Sequence, residues 1–113
     1  WARNKLVNNQ HEYDILLNVA NWPEARVSAW DALLKARAIE NHAYAIGVNR
    51  VGKDGKGINY CGHSGLYDPK GNAIAFLVSN LVANSTRLVY EDLERYRQNF
   101  PAQLDADDFK ISG

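Results

Sequence analysis

A thiol and an imidazole stand close together in this sequence, where Cys61 precedes His63 by two residues. A cysteine nucleophile needs a base within hydrogen-bond reach, and that base usually comes from a distant part of the chain. A lone cysteine is more often a small, buried or half-buried residue. We therefore interpret Cys61 as structural and His63 as a surface or hydrogen-bonding residue. An enzyme that uses Cys61 is kept as an alternative.

The sequence predicts no metal or cofactor site. Among His11, His42, His63 and Cys61, only the last two lie at ligand spacing, whereas structural zinc takes four ligands. The glycines within Gly52–Gly57 lack the strand-to-helix context and the Lys-Ser/Thr ending of a phosphate-binding loop. That segment predicts a surface hairpin instead.

Trp22 is an aromatic residue whose position favours contact with a ligand. It follows the apolar run Tyr13–Ala20, which predicts a strand, and precedes Pro23, which has no N–H group and ends extended pairing. Loops at the carboxyl ends of sheet strands are where α/β folds place their sites. Trp22 is therefore predicted either to line a pocket or to join the core. Trp30 lies on an apolar helix stripe and is predicted to be a core residue.

Three elements must position this loop. The apolar density of Tyr13–Ala20 predicts a strand that is buried on both faces. Ser28 is predicted to cap a helix, with Asp31 as its acidic partner, and that helix is expected to end at Asn41-His42. A second strand is predicted over Ala43–Val51.

The remainder of the chain predicts a series of short elements. We expect a short helix or loop at Trp1–Gln10, a turn at Asp68–Gly71, strands at Ala73–Val78 and Thr86–Tyr90, and a helix at Glu91–Phe100 that Pro101 ends. This order of strands and helices predicts a mixed α/β layered fold.

Charge and hydropathy argue against several classes of protein. Lys+Arg and Asp+Glu both number 13, so the chain lacks the basic excess of a nucleic-acid-binding surface. Its longest apolar runs fall far short of the roughly 20 residues that a membrane span needs. A single cysteine cannot form an internal disulfide, which makes the reducing cytoplasm the expected compartment.

Two features indicate that the chain is part of a larger protein. It contains no methionine and begins at Trp1, which is not typical of the natural start of a domain. The apolar strand Tyr13–Ala20 also needs neighbours on both sides, and the chain offers few candidates for them. We therefore expect sequence outside these residues to contribute part of the sheet.

Several short motifs occur together in this chain. They are Val19-Ala20-Asn21-Trp22-Pro23, Trp30, Ala36–Asn41 and Gly47–Gly52, followed by Tyr60–Ser64, Asp68–Gly71, Glu91–Pro101 and Asp107-Asp108-Phe109. Jointly they resemble the nitrilase, or carbon-nitrogen hydrolase, superfamily over nearly the whole chain. The Asn-Trp-Pro and Asn-Arg-Val-Gly elements resemble its ω-amidase branch.

The resemblance implies a fold and a reaction. The fold is a four-layer α-β-β-α sandwich, usually dimeric through its helical face, and residues 1–113 would form the C-terminal part of that single domain. Its members cleave an amide C–N bond through a thioester on a cysteine, with a glutamate as general base and a lysine that binds the oxyanion-like intermediate. The ω-amidases act on the terminal amide of 2-oxo acid amides such as 2-oxoglutaramate.

The resemblance also implies where the catalytic residues lie. The family's glutamate, lysine and cysteine all precede the position of Trp1, and the cysteine motif Cys-Tyr-Asp-Leu-Arg-Phe-Pro would end immediately before it. No catalytic residue is therefore assigned in this chain. Asn21 and Trp22 would lie on the loop beside the active site, and Arg26 is predicted, from its charge, to bind a substrate carboxylate.

Two principal functions remain open. The first is the C-terminal half of an amidase that acts on a small-molecule amide. The second is a non-catalytic fragment or subunit that keeps the half-fold for binding or dimerisation. The 113-residue chain alone is predicted to be inactive and poorly folded, because it would expose one face of a sheet built to pair with strands of the other half.

Overall fold

The computed structural model describes residues 3–77 and 86–99, which form eight strands and two helices. The strands are β1 (Leu6–Val7), β2 (Gln10–His11), β3 (Ile15–Ala20), β4 (Tyr44–Asn49), β5 (Val51–Lys53), β6 (Asn59–Cys61), β7 (Ser64–Tyr67) and β8 (Ala73–Leu77). The helices are α1 (Val27–Asn41) and α2 (Tyr90–Asn99), and a 3₁₀ turn at Glu24–Arg26 leads into α1. Among the described residues, no helix combines the length and apolar character that crossing a membrane requires.

Four strands form the central sheet, in the order β3-β4-β7-β8. β3 and β4 are parallel, with Ile15 beside Tyr44 and Ala20 beside Asn49, whereas the other two pairings are antiparallel. Parallel neighbours need a long crossover, and α1 supplies it between β3 and β4. The carboxyl ends of these two strands therefore lie together at one edge of the sheet.

One face of this sheet is covered by α1. The helix buries Trp30, Leu34 and Ala38, which lie one turn apart, against Ala45 and Tyr67. The prediction that Trp30 belongs to the core is confirmed, since only 2% of its surface is exposed. This packing fixes the helix across the sheet, and with it the turn that enters the helix from the end of β3.

The two ends of α1 differ in how well the sequence predicted them. The predicted Ser28 cap is wrong, because the 3₁₀ turn runs directly into α1 and Ser28 lies exposed inside the first helical turn, behind Val27. The predicted end is confirmed, since the helix finishes at Asn41 and His42 turns left-handed with a φ of 49°. A left-handed residue at this position satisfies the last carbonyl groups of a helix.

The opposite face of the sheet is apolar and largely open in the part of the chain described. Ile15, Leu17 and Val19 alternate along β3 and are 45%, 59% and 71% exposed. α2 covers only another part of this face, where Leu93 packs with Tyr44. Within residues 3–77 and 86–99 no element covers the outer side chains of β3, so burial of this strand on both faces stays a prediction.

Two other predictions are wrong for local reasons. The described part of Trp1–Gln10 forms the first half of the β1–β2 hairpin, because Asn8 and Asn9 adopt the positive φ angles, 52° and 63°, that a tight hairpin turn requires. Thr86–Tyr90 is not a strand, since Tyr90 already begins α2. The acidic residues that follow Tyr90 favour a helix start there.

The remaining predictions concern the hairpins and α2. The predicted strand Ala43–Val51 divides into β4 and β5, and β5 pairs with β6 around the predicted Gly52–Gly57 hairpin. The turn at Asp68–Gly71 is confirmed by a hydrogen bond of 2.9 Å from the Gly71 N–H to the Asp68 carbonyl. The predicted strand at Ala73–Val78 and the predicted helix at Glu91–Phe100 are confirmed as far as they are described. Val78, Phe100 and residues 101–113 lie outside the described residues.

Candidate active-site edge

The carboxyl ends of β3 and β4 form the edge at which the candidate site lies. Ala20 and Asn49 are partners in the parallel register, and the Arg50 N–H donates to the Ala20 carbonyl at 3.4 Å. β3 therefore leads directly into Asn21 and Trp22 at this edge. Open α/β sheets place ligands at the carboxyl ends of their strands.

The indole of Trp22 is half-buried and held from two directions. It packs against Trp30, with 5.8 Å between the ring centroids and 41° between the ring planes. Its Nε1–H donates to the Arg26 carbonyl. Trp30 is fixed in turn, because its Nε1–H donates to the His63 carbonyl at 2.8 Å. Trp22 therefore packs against the core and remains partly open at the edge, and its role in lining a pocket stays a prediction.

Arg26 lies beside this indole. Its guanidinium carbon is 4.9 Å from the centroid of the Trp22 ring, which is within the range of a cation–π contact, and the residue is exposed. A guanidinium in this position can still donate two parallel hydrogen bonds to a carboxylate. The structure thus brings Trp22 and Arg26 together, with exposed Asn21 next to them in the chain. Contact between these three residues and a substrate stays a prediction.

Asn49 is a residue of this edge that the sequence analysis did not single out. It is 6% exposed, and its Oδ1 accepts a hydrogen bond of 2.7 Å from the Trp22 N–H. Its Nδ2 donates to the carbonyls of Trp22 and Gly62, at 3.0 Å and 2.9 Å. The sequence did carry a signal, because Asn49 is a polar residue near the end of a predicted apolar strand.

Cys61 has the environment of a structural cysteine. It is buried in β6, and burial, followed by the negative charges of Glu24 and Asp31, raises the pKa of its thiol. His63 adopts a left-handed φ of 54°, and its Nδ1 lies 3.0 Å from Oδ2 of Asp31. The interpretation of His63 as a hydrogen-bonding residue is confirmed. In residues 3–77 and 86–99, no three histidine, cysteine or acidic side chains are grouped as metal ligands would be.

A concave surface lies at the amino ends of β3 and β4, next to α2. Its cavity of about 780 Å³ is lined by residues that include His11, Asp14, His42 and Arg97. The Arg97 guanidinium already donates to the Asp14 carboxylate at 2.8 Å and to the carbonyls of His42 and Tyr13. Burial, followed by the charge of Arg97, lowers the pKa of His42 and favours its neutral form. This cavity is therefore a weaker candidate for an anionic ligand than the Trp22 edge.

The β3–α1–β4 unit, with an aromatic and a cationic side chain at its carboxyl edge, defines a mixed α/β fold of the kind that can place a site at this edge. The carbon-nitrogen hydrolase family matches residues 1–96 of the chain, and the chain belongs to that family. The predicted resemblance to the nitrilase superfamily is confirmed.

Two relatives indicate the branch of the family. The chain is 45% identical over 112 residues to the omega-amidase YafV of Escherichia coli K12, across 98% of this chain and 42% of that protein. It is 33% identical over 91 residues to a 2-oxoglutaramate amidase of Paenarthrobacter nicotinovorans, across 79% of this chain and 31% of that protein. These similarities place it in the ω-amidase-like branch, and it spans less than half the length of either relative.

Solved structures agree with the fold. A CN-hydrolase superfamily protein of Xanthomonas campestris, which carries an arsenic adduct in its active site, matches 91% of this chain and 40% of its own, with a TM-score of 0.89 and 40% identity. A carbon-nitrogen hydrolase of Helicobacter pylori G27 shares the fold at 22% identity, with a TM-score of 0.71 over 83% of this chain and 38% of its own. The predicted α/β class, as part of a nitrilase-type sandwich, is therefore confirmed.

Proposed function

We propose that this chain is the C-terminal part of an amidase that hydrolyses the terminal amide of a small 2-oxo dicarboxylic acid monoamide. The observation that carries the proposal is the pairing of Trp22 with Arg26 at the carboxyl edge of β3 and β4. Such a substrate has one reactive amide and one carboxylate, and Arg26 is suited to bind the carboxylate. The similarity to an omega-amidase and to a 2-oxoglutaramate amidase supports the same class of substrate.

In the proposed reaction, the catalytic residues come from sequence upstream of Trp1, and this chain supplies residues that bind the substrate. An upstream cysteine is proposed as nucleophile, with a glutamate as base and a lysine beside the developing negative charge. The glutamate takes the proton of the thiol, and the thiolate attacks the amide carbonyl carbon. The C–N bond then breaks as the glutamate gives that proton to the departing ammonia. Water then hydrolyses the thioester, which releases a carboxylate and restores the thiol. In this chain Arg26 holds the distant carboxylate, while Trp22 and Asn21 line the pocket.

The proposal includes a partner for the open face of the sheet. Ile15, Leu17 and Val19 form an apolar row, and the N-terminal half of the same domain is the proposed cover. A homodimer through the helical face is also proposed, and it is supported by Leu33 and Ile39, which leave apolar surface exposed on α1. The cytoplasm is the proposed compartment.

The first test measures ammonia release from 2-oxoglutaramate by the full-length enzyme. Activity that disappears when the upstream cysteine is replaced by alanine supports the amidase. Trp22→Ala is expected to raise KM by about tenfold, or ~1.4 kcal/mol, because it removes both the pocket wall and the ring beside Arg26. An unchanged KM would contradict the role of Trp22 in the pocket.

Arg26→Gln separates charge from shape. Its KM is expected to rise for 2-oxoglutaramate and to stay nearly constant for a neutral amide of similar length, because only the former has a carboxylate to bind. Arg95→Gln is the matched control, since Arg95 is an exposed arginine on α2 that pairs with Asp92 at 3.6 Å. Full-length protein that hydrolyses no amide would overturn the amidase.

The alternative function is a non-catalytic fragment or subunit that uses the half-fold for binding or dimerisation. The intact mass of the protein that carries this chain distinguishes the two. A mass well above 12.7 kDa, with upstream sequence that supplies glutamate, lysine and cysteine, supports the amidase. A mass of 12.7 kDa supports the alternative.

A further inference from the structure

We propose that Asn49 is a positioning residue for the substrate-binding loop at 21–26, and that it acts on substrate binding through Trp22 and Arg26. The inference rests on the proposed amidase function. Asn49 itself is only 6% exposed, so its side chain is placed to hold the loop rather than to contact a substrate.

The side chain of Asn49 replaces a strand partner at the point where the sheet ends. The backbone pairing of β3 with β4 stops at Ala20 and Asn49. Beyond it, the Asn49 amide accepts from the Trp22 N–H at 2.7 Å and donates to the Trp22 carbonyl at 3.0 Å. Both polar groups of the Trp22 backbone are therefore held by one side chain. The next residue, Pro23, has no N–H with which to extend the pairing.

Asn49 is itself anchored to a third segment of the chain. The second N–H of its amide donates to the Gly62 carbonyl at 2.9 Å. Its backbone N–H donates to Oγ of Ser64 at 2.9 Å, and the Ser64 hydroxyl donates to its carbonyl at 3.3 Å. Asn49 thus ties the loop after β3 to the end of β4 and to the segment that leads into β7. Because Asn49 is buried, water cannot readily replace these bonds, and losing one partner leaves polar groups unsatisfied.

Two contacts join Trp22 to Arg26, so the position of Arg26 depends on that of Trp22. The Trp22 Nε1–H donates to the Arg26 carbonyl, and the Arg26 guanidinium lies 4.9 Å from the indole centroid. A shift of the Trp22 backbone therefore moves both the aromatic wall and the cation proposed to bind the carboxylate. Small displacements of binding groups are costly because recognition of a carboxylate depends on geometry.

Asn41 provides a matched control at the other end of α1. It is also an asparagine and is 3% exposed. Its Oδ1 accepts from the Asn4 N–H at 3.0 Å, and its Nδ2 donates to the Arg37 carbonyl at 2.9 Å. Asn41→Ala therefore removes a buried amide with comparable bonding, but it leaves the hydrogen bonds of the loop at 21–26 intact.

The experiment compares Asn49→Ala with Asn41→Ala in the full-length enzyme, using 2-oxoglutaramate as substrate. Both variants are expected to lower Tm by similar amounts. Asn49→Ala should raise KM by about tenfold, with a smaller change in kcat, whereas Asn41→Ala should leave KM within about twofold. Hydrogen exchange of the 21–26 backbone should accelerate in Asn49→Ala and not in Asn41→Ala.

A double variant tests whether the effect passes through Trp22. Once Trp22→Ala has removed the indole, adding Asn49→Ala should raise KM little further, because coupled residues are not additive. If Asn49→Ala does not fold, Asn49→Ser serves the same test. Serine adds no charge, and its hydroxyl has a single donor, so it cannot bond both the Trp22 and the Gly62 carbonyl.

The outcomes separate this inference from the proposed function. If the wild-type enzyme is active and the Asn49→Ala and Asn41→Ala variants have equal KM values, the positioning role is overturned. The proposed amidase function is then unaffected. A wild-type enzyme that is inactive on every amide overturns the amidase and this role with it. A KM increase confined to Asn49→Ala, with faster exchange at 21–26, supports both.

Discussion

Cys61 is the one thiol of the chain, and its surroundings determine what it can do. Burial, followed by the charges of Glu24 and Asp31, raises the pKa of this thiol above its ordinary value. The nucleophile in thiol chemistry is the thiolate, and a raised pKa leaves less of it at neutral pH. The only thiol in the chain is therefore a poor nucleophile, which agrees with the proposal that the catalytic cysteine lies upstream.

We expect Cys61→Ser to keep the kcat/KM of the full-length enzyme within about twofold, because the hydroxyl is nearly isosteric and the thiol has no proposed role in catalysis. The measurement is ammonia release from 2-oxoglutaramate. Replacement of the upstream cysteine by alanine is the control and should abolish activity. A loss of activity in Cys61→Ser, with the upstream cysteine intact, would favour the alternative enzyme that uses Cys61.

The sequence predicted Trp22 as a candidate site residue but did not predict the residue that holds its backbone. Trp22 could be found because a strand, a loop and Pro23 are consecutive in the chain. Asn49 is marked only as a polar residue near a strand end, and its role could not be predicted because its partners Trp22 and Gly62 are 27 and 13 residues away. No local pattern records which loop a buried amide will meet after the sheet has formed.

At the scale of elements, the close approach of α1 to β4 supports the site. A Cβ at Gly47 would lie 2.7 Å from Cζ2 of Trp30 and would collide with Leu34. The absence of a side chain at Gly47 therefore lets the helix pack Trp30 directly on the sheet. Because Trp30 packs against Trp22, this contact also contributes to the shape of the candidate site.

Gly47→Ala is expected to destabilise the full-length enzyme by about 1–3 kcal/mol, because an added methyl group overpacks a filled interface. Urea unfolding measures the change. Gly55→Ala is the control, since a Cβ there meets nothing within 4 Å and Gly55 lies in the hairpin between β5 and β6. Equal free energies of unfolding for the two variants would contradict the close packing described for Gly47.

The elements also differ in how far local sequence specified them. The apolar spacing of Trp30, Leu34 and Ala38 predicted α1 correctly, because the same stripe is buried in the fold. The start of α1 was not predicted, since the 3₁₀ turn that contains Arg26 removes the need for a cap at Ser28. Local cap preference was overridden by the path the chain takes from the end of β3.

At the scale of the whole molecule, the sheet has one covered face and one largely open face in the described chain. The sequence of β3 predicted burial on both faces, because both faces carry apolar residues: Leu16 and Ala20 on one, and Ile15, Leu17 and Val19 on the other. Residues 3–77 and 86–99 cover only one side of this strand. The apolar outer face of β3 therefore predicts a covering surface that the described residues do not supply. We propose that the N-terminal half of the domain supplies it.

This proposal predicts opposite effects of one variant in two proteins. Leu17→Lys with Val19→Lys places two charges on the open face, where both side chains are more than half exposed in this chain. In the isolated 113-residue chain, the charges should reduce self-association, because they interrupt an exposed apolar row on β3, whose outer edge no described strand pairs. In the full-length enzyme, the same charges should lower stability by about 3 kcal/mol or more, because they would be buried against the other half without partners.

Val7→Lys is the control for this comparison, because Val7 is 53% exposed on β1, outside the central sheet. It should change neither protein appreciably. Sedimentation measures the association of the isolated chain, and urea unfolding measures the stability of the full-length enzyme. A cooperative, monomeric thermal melt of the unmodified 113-residue chain would contradict the prediction that it folds poorly alone. Equal stability of the full-length wild type and double-lysine variant would contradict the proposed cover, since a buried row cannot accept two unpaired charges without cost.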